Sequence, residues 1–419
     1  MLNLLPKLTM PLLWVLIVAM WYPSPIRDRY VWIFILWIPI LAARWVGQGH
    51  FLTITRQDML WLVFFALGIL NIYLAPYTRG FVMLARPLLG LVIYFSIVEM
   101  VRQHKQVGKV LSYIAVLGIV VGALALFGTE WNEKSFQFEP FLKLLPVLKN
   151  LPVPSDAGLS FNANEIAGAT AYLVPVMAGV AVYHWRVKLP RLGITLAFVL
   201  LFLSLFLGQS RLAIIGVLLS LAIIIFLLIP RGKWKTAAWG ALAVVTMLEL
   251  IIIYNPASRQ HLAERDEDSL SGRFDIWTSA LSIVGDYPLT GVGLNMFRDR
   301  RVLEDYPVPR WFPSPGATRI LPHAHNEVLQ IATDMGIPGA VIFIAIHITA
   351  IYMAVQVWRR GDEYARAVSL SALAGLFAHA VFGMGDAITF WDRFAFLFWV
   401  VLGLLRGQHL LTTRVTENL

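Results

Sequence analysis

Apolar runs of about 20 residues, each long enough to cross a bilayer as a helix, recur along the whole chain. Lipid tolerates no unpaired backbone groups, so each run is read as a helix whose bonds close within itself. Twelve spans are expected, at roughly 8–22, 30–46, 59–76, 80–101, 110–127, 164–184, 192–208, 212–230, 236–254, 337–358, 367–383 and 391–408. Prolines and glycines fall mostly at their ends, as boundary signals should. The expected fold class is therefore an all-α polytopic membrane protein. It forms one integral-membrane domain over residues 1–419, with outer segments at 128–163 and 255–323.

Composition narrows the functional classes. Of 419 residues, 58% are apolar and 14% charged, outside the range of water-soluble domains. The net charge of +9 is spread between apolar runs, so nucleic acid is not an expected partner. With no cysteine, disulfides, thiolate metal sites and cysteine nucleophiles are excluded. The N-terminal run has no small-x-small cleavage pattern after it and is read as a retained first span.

The positive-inside rule orients the bundle. With the N-terminus inside, Lys7, Arg44, Arg56, Arg102, Lys105, Lys109, Arg186, Lys188, Arg191, Arg231, Lys233, Lys235, Arg359, Arg360, Arg366, Arg406 and Arg414 share the cytoplasmic side. The short outer loops hold only Arg27, Arg29, Arg79, Arg211 and Arg393. Both termini are then cytoplasmic and both long connections lie outside. In a bacterial inner membrane that side has no ATP or nucleotide sugar, so an activated substrate must arrive ready made, carried on a lipid.

Segment 255–323 is too long for an idle connection and too aromatic for disorder. It has eight arginines, no lysine and nine acidic residues, and the stretch SGRFDIWTSALSIVG reads as a helix. Guanidinium forks bind phosphate oxygens in pairs and stay charged in poorly hydrated sites. Most of these arginines are expected in surface salt bridges. Two others stand out. Arg86 lies about two turns inside the fourth span, where an ionised group is a functional candidate by default. Arg211 sits on a sharp outer turn between the seventh and eighth spans.

The stretch HAHNEVLQIATDMGIPG, residues 323–339, opens the tenth span. If a helix begins at His325, then His325, Leu329, Ala332, Gly336 and Gly339 share one face, which small residues prepare for close packing against another helix. His323, two residues earlier, then points elsewhere. Three readings of His325 stand side by side: a helix-start or interfacial residue, a zinc ligand with His323 and nearby carboxylates, and a general base beside arginines. No His-x-x-x-His spacing supports the metal, and none is expected. The glycines of GVGLNMF follow no strand, so a nucleotide fingerprint is rejected.

HNEVLQIATDMGIPG resembles the signature of the O-antigen ligase superfamily of membrane glycosyltransferases. FNANEIAG (161–168), QSRLAIIG (209–216), SGRFDIW (271–277) and PLTGVGLNMF (288–297) follow that family's order, and with the twelve-span layout the resemblance covers most of the chain. It implies a donor glycan on undecaprenyl pyrophosphate and, for a ligase, a sugar hydroxyl of lipid A–core as acceptor. His325 is then the general base, with Arg211 and Arg273 as the main pyrophosphate ligands and Arg265 and Arg86 as further ones. Asn326, Asn162 and Asn164 are candidates for orienting substrate. No cofactor is implied, and surrounding membrane lipids are expected partners. Pyrophosphate leaves readily, so the paired carboxylates of glycoside hydrolysis are not required, and direct attack predicts inversion. Asp386 is the rival base, and Asp386 and Asp392 are expected to pair with outer arginines. An O-antigen polymerase or O-linked oligosaccharyltransferase shares the signature. A lipid-linked glycan flippase is the rival from another class, disfavoured because the halves show no repeat.

Overall fold

A computed structural model describes residues 54–104, 107–129, 161–184, 191–254, 270–308, 321 and 323–417, plus isolated positions before residue 46 and at 131 and 142. The described chain is built of helices: α1 (Met59–Leu74), α2 (Val82–His104), α3 (Val107–Gly128), α4 (Ala163–His184), α5 (Arg191–Gly208), α6 (Arg211–Leu228), α7 (Lys233–Tyr254), α8 (Leu270–Asp286), α9 (Arg300–Asp305), α10 (Glu327–Arg360), α11 (Glu363–Phe382) and α12 (Phe396–Glu417). Among the described residues nine helices are long and apolar enough to cross a bilayer, and α5 is a shorter apolar one. These ten correspond to the third to twelfth expected spans. The first two expected spans fall mostly outside the described residues.

The core sits around α12, whose residues from Phe396 to Leu405 are all buried. It packs against α2, α10 and α11, while α4 packs against α5, α6 and α11. Small residues let these backbones approach: a side chain at Gly375 would stand 2.3 Å from the Tyr172 carbonyl oxygen. At the periphery α7 packs beside α6 and turns Val244, Met247, Leu248 and Ile251 outward, the face that hydrocarbon would cover.

Helix α10 departs most from expectation. The sequence places the span at 337–358, with a helix from His325 running into it provided that Pro338 kinks the helix without ending it. The helix starts at Glu327 and is broken at Gly336, whose φ of 70° and ψ of −178° only glycine adopts readily. The break is stabilised by an exchange of backbone bonds. Ile337 N–H leaves its own helix and donates to the Pro288 carbonyl at 2.7 Å, and Pro338 has no N–H. That frees the carbonyls of Thr333 and Asp334, which accept from Val292 N–H at 2.7 Å and Gly293 N–H at 3.2 Å. The Asn71 amide adds a bond to the Asp334 carbonyl at 2.8 Å. The small residues of this face therefore admit a loop, not the neighbouring helix expected. A side chain at Gly336 would stand 2.5 Å from the Leu289 backbone, and one at Gly291 would stand 2.4 Å from the Thr333 oxygen.

That loop belongs to the outer segment, which has a small core of its own. Ile276, Ile283, Met296, Phe297, Val302 and Leu321 cluster there, around α8 and α9. The helix expected at SGRFDIWTSALSIVG is α8.

At the opposite end Arg406 departs from the sequence reading in degree. It lies among the residues assigned to the cytoplasmic side, but it is 1% exposed rather than set in water. Its guanidinium faces the equally buried Asp58 at 3.4 Å, and Tyr94 donates to Asp58 at 2.8 Å. A charge so placed persists only with such partners.

Gly336→Ala forces a side chain into both a glycine-only conformation, at about 1–3 kcal/mol, and the 288–293 loop. A lowered Tm in detergent is the expected result. Gly240→Ala, where an added methyl meets nothing within 4 Å, serves as the control with Tm unchanged. Equal Tm values for both variants would contradict the exchange.

Candidate active site

Five connections meet at one end of the bundle: 75–81, 209–210, 287–299, 323–326 and 383–395. Tyr77 N–H donates to the Val292 carbonyl at 3.1 Å, Asn326 donates to the Met384 carbonyl at 3.2 Å, and Arg393 meets Glu165 at 2.7 Å. The polar residues singled out in sequence lie mostly here.

His325 is not helical. Asn326 caps α10, its Oδ1 accepting from Leu329 N–H at 2.9 Å, and His325 precedes it with φ at 49°. The helical face expected from His325 therefore begins after it, and the expected divergence from His323 fails. The two rings lie 4.4 Å apart at 63°. His325 N–H donates to His323 Nδ1 at 3.2 Å, and His323 Nε2 meets Asp386 Oδ1 at 2.9 Å. This network assigns the His323 proton to Nε2 and commits both its nitrogens. Asp386 thus pairs with an imidazole, where an arginine was expected. Burial would raise its pKa, but His323, His325 and the Ala387 N–H outweigh it and hold the carboxyl well below the ordinary range.

Helix α8 braces the turn. Trp277 Nε1–H donates to the His325 carbonyl at 3.2 Å, and Arg273 stands one helical turn away. A side chain at Gly385 would stand 3.0 Å from Arg273 Nη1 and 2.4 Å from Leu212, so Arg273 and the start of α6 converge beside Asp386. Arg211, the first residue of α6, is exposed next to Leu212. Arg273 Nε is buried without a hydrogen-bond partner, and no carboxylate pairs with Arg273 among the described residues.

Beneath this turn Glu327 is 6% exposed and holds the facing loop. Its Oε1 accepts from Ile388 N–H at 2.7 Å and Thr389 N–H at 2.9 Å, while its own N–H donates to the Gly383 carbonyl at 2.7 Å. His379, stacked on Tyr172 at 3.7 Å, lies 3.6 Å from the same carboxylate.

A cleft of about 450 Å³ opens beside the imidazoles, lined by Arg298, His323, Gln330, Thr389, Trp391 and Asp392 among others. Arg86 stands behind its wall and does not join Arg273: it is buried and donates to the carbonyl of Trp391, a lining residue. Asn162 caps α4, accepting from Asn164 N–H at 2.8 Å, with Asn164 half-buried beside it. Arg265 lies outside the described residues. Sequence reasoning missed the His323–Asp386 pair and Arg298. The only signal for the pair was the repeated His-x-His.

Among the described residues three non-glycines have left-handed backbone, Gln209, Asn295 and His325. Gln209 precedes Arg211, Asn295 lines the cleft and His325 carries the imidazole. Strain of this kind costs of order 1–3 kcal/mol and collects at functional sites. His323, His325 and Asp386 also bring ligand atoms within 4.8 Å of one another, a set able to hold a cation.

No curated protein matches the chain. Residues 196–344 match the family model described as O-Antigen ligase, a stretch from α5 into α10 that includes Arg211, Arg273, Arg298 and His325. The ordered motifs and the polytopic helical fold agree with this partial match, which makes that stretch similar to the O-antigen ligase family.

Proposed function

We propose that the protein transfers O-antigen glycan from undecaprenyl pyrophosphate to a sugar hydroxyl of lipid A–core, at the periplasmic face of a bacterial inner membrane, with inversion and without a metal. Both termini lie in the cytoplasm. The observation that carries this reading is the meeting of imidazole, carboxylate and guanidinium groups around Gly385 and Asp386, in a chain whose residues 196–344 match the O-Antigen ligase family model.

The acceptor hydroxyl attacks the anomeric carbon, the bond to the pyrophosphate oxygen breaks, and the hydroxyl proton passes to His325. Two alternatives for the base are weaker. His323 has both nitrogens committed. Asp386 has its pKa held low, so it is a poor proton acceptor at neutral pH. Asp386 instead fixes His323, on which the His325 turn rests. Arg273 and Arg211 take the pyrophosphate and stabilise the charge that develops on it, as fixed cations do where water is scarce. Arg265 remains a secondary member of that set, whereas Arg86, held by the Trp391 carbonyl, stands apart from it. Asn326 and Asn162 act first as helix caps, and any hold on sugar comes from the amide atoms their caps leave over.

His325→Ala is expected to lower transfer about 10²–10⁴-fold in a purified system with lipid-linked glycan and lipid A–core. A wild-type rate would remove His325 from the mechanism. Glycan growth on the lipid carrier would mark a polymerase, and movement across vesicles without chemistry a flippase.

The low pKa of Asp386 has a pH signature. A depressed carboxylate contributes stability that is present above the ordinary carboxylate range and lost as pH falls through its folded value. The acid limb of kcat/KM should therefore report imidazole protonation and survive in Asp386→Asn at reduced rate. If Asp386 were the base, the limb would lie in the carboxylate range and vanish in that variant.

Dialysis against a chelator should leave the transfer rate unchanged. Loss of activity restored by a divalent cation would reassign His323, His325 and Asp386 as ligands.

A further inference from the structure

Arg298 is the cation that this chemistry leaves over. It follows Phe297 in the loop that fills the break in α10, where Phe297 N–H points to the buried Asp334 carboxylate at 3.4 Å and Asp299 N–H donates to the Met296 carbonyl at 2.8 Å. Its neighbours in sequence are engaged elsewhere. Asp299 holds Arg79 at 2.8 Å and Arg301 at 3.0 Å, and Arg300 meets Glu304 at 2.8 Å. Among the described residues no carboxylate lies within ion-pair distance of Arg298.

The side chain lines the cleft, with part of its surface open to solvent. Burial lowers its basicity and so do the like charges of Arg79 and Arg86, against a weaker pull from Asp392 and Asp334. Arg86 is tied to the Trp391 carbonyl in the cleft wall. Arg79 and Arg86 thus add like charge near the one guanidinium that lines the cleft, an arrangement that an incoming anion relieves.

Position separates this cluster from the one at Arg273. Arg273 meets Gly385, on one side of Asp386, whereas Ala387, on the other side, already lines the cleft with Arg298. A pyrophosphate joins its two phosphoryl groups through one oxygen, a compact load for one cation cluster. Two clusters on either side of the imidazoles suit two anions, one on each substrate. We infer that the cleft is the acceptor subsite and that Arg298 binds an acidic group, phosphate or carboxylate, on the acceptor glycan. The inference rests on the transfer reading above.

The test uses full-length protein in detergent, with phosphorylated lipid A–core and the same acceptor after phosphatase treatment, each titrated at saturating donor. In the wild type the phosphorylated acceptor should show a KM about tenfold lower, the worth of one charge-assisted contact. Arg298→Ala should raise that KM about tenfold, leave the KM for the treated acceptor unchanged, and leave donor KM unchanged. Arg298→Lys keeps the charge without the fork and should fall between. A uronic acid competing with the phosphorylated acceptor in the wild type and not in Arg298→Ala would extend the subsite to carboxylates. Equal KM values for the two acceptors in the wild type would overturn the inference, without needing any variant. A rise in donor KM in Arg298→Ala would also overturn it, by giving the cation to the pyrophosphate. Equilibrium binding of the two acceptors separates this failure from that of the transfer reading. Charge-selective binding that depends on Arg298, without transfer by the wild type, would sink the reaction and keep the subsite.

Discussion

The site depends on an exchange of backbone hydrogen bonds at Gly336. A helix crossing lipid keeps its bonds to itself, and a break in one leaves carbonyls that hydrocarbon cannot satisfy. Here Val292 and Gly293 bring replacement N–H groups, and the Pro288 carbonyl takes the Ile337 N–H in return. The first turns of α10 are thereby set apart from the rest of the helix and tied to the outer segment. Everything that gathers at the imidazoles follows from that attachment: the cap at Asn326, the bonds from Glu327 to residues 388 and 389, and the approach of Arg298 on the same loop.

Glu327 shows how a buried charge can serve geometry. A carboxylate deep in protein is costly unless hydrogen bonds surround it. Two backbone N–H donors and a nearby imidazole surround this one. In return it fixes the loop that carries Asp386 on one side of Glu327's contacts and Trp391 and Asp392 on the other. The His323–Asp386 pair and the cleft wall are therefore positioned by one buried group lying only two residues from His325. The left-handed backbone at His325 is tolerable because the turn is held from three directions, by Trp277, by His323 and by the Asn326 cap.

How much of this the sequence disclosed follows from the range of the interactions involved. Length and apolarity are local, so helices stand where ten of the runs predicted them, and the helical stretch in the outer segment was equally readable. The two-residue turn before Arg211 was legible from its shortness. The bond exchange in helix α10 was not, because a kink at Pro338 does not disclose that residues about 45 positions earlier supply the missing bonds. The sequence sets the GVG glycines apart from a nucleotide fingerprint because they follow no strand. Their actual service, letting a loop backbone lie against another backbone, is visible only once both partners are in place. The choice among loop arginines was hidden for a related reason. Arg298, Arg300 and Arg301 are near neighbours in sequence, and which of them faces a cleft is decided by where Asp299 and Glu304 point.

The electrostatic plan of this end of the molecule is one of unequal neutralisation. Arg79, Arg300, Arg301 and Arg393 are matched to carboxylates, with Arg79, Arg300 and Arg301 in half-exposed or exposed pairs that contribute little to stability. Arg273 and Arg298 have no such partner among the described residues, and both border the imidazole turn. Were the excess positive charge a by-product of a basic surface, it would be expected at the rim, where water screens it at small cost. Part of it lies inside instead: Arg273 Nε is buried without a hydrogen-bond partner, where screening is weaker than at the rim. A protein keeps charge in such places when a ligand of opposite sign completes the balance, and substrates whose leaving group is a pyrophosphate bring that sign with them.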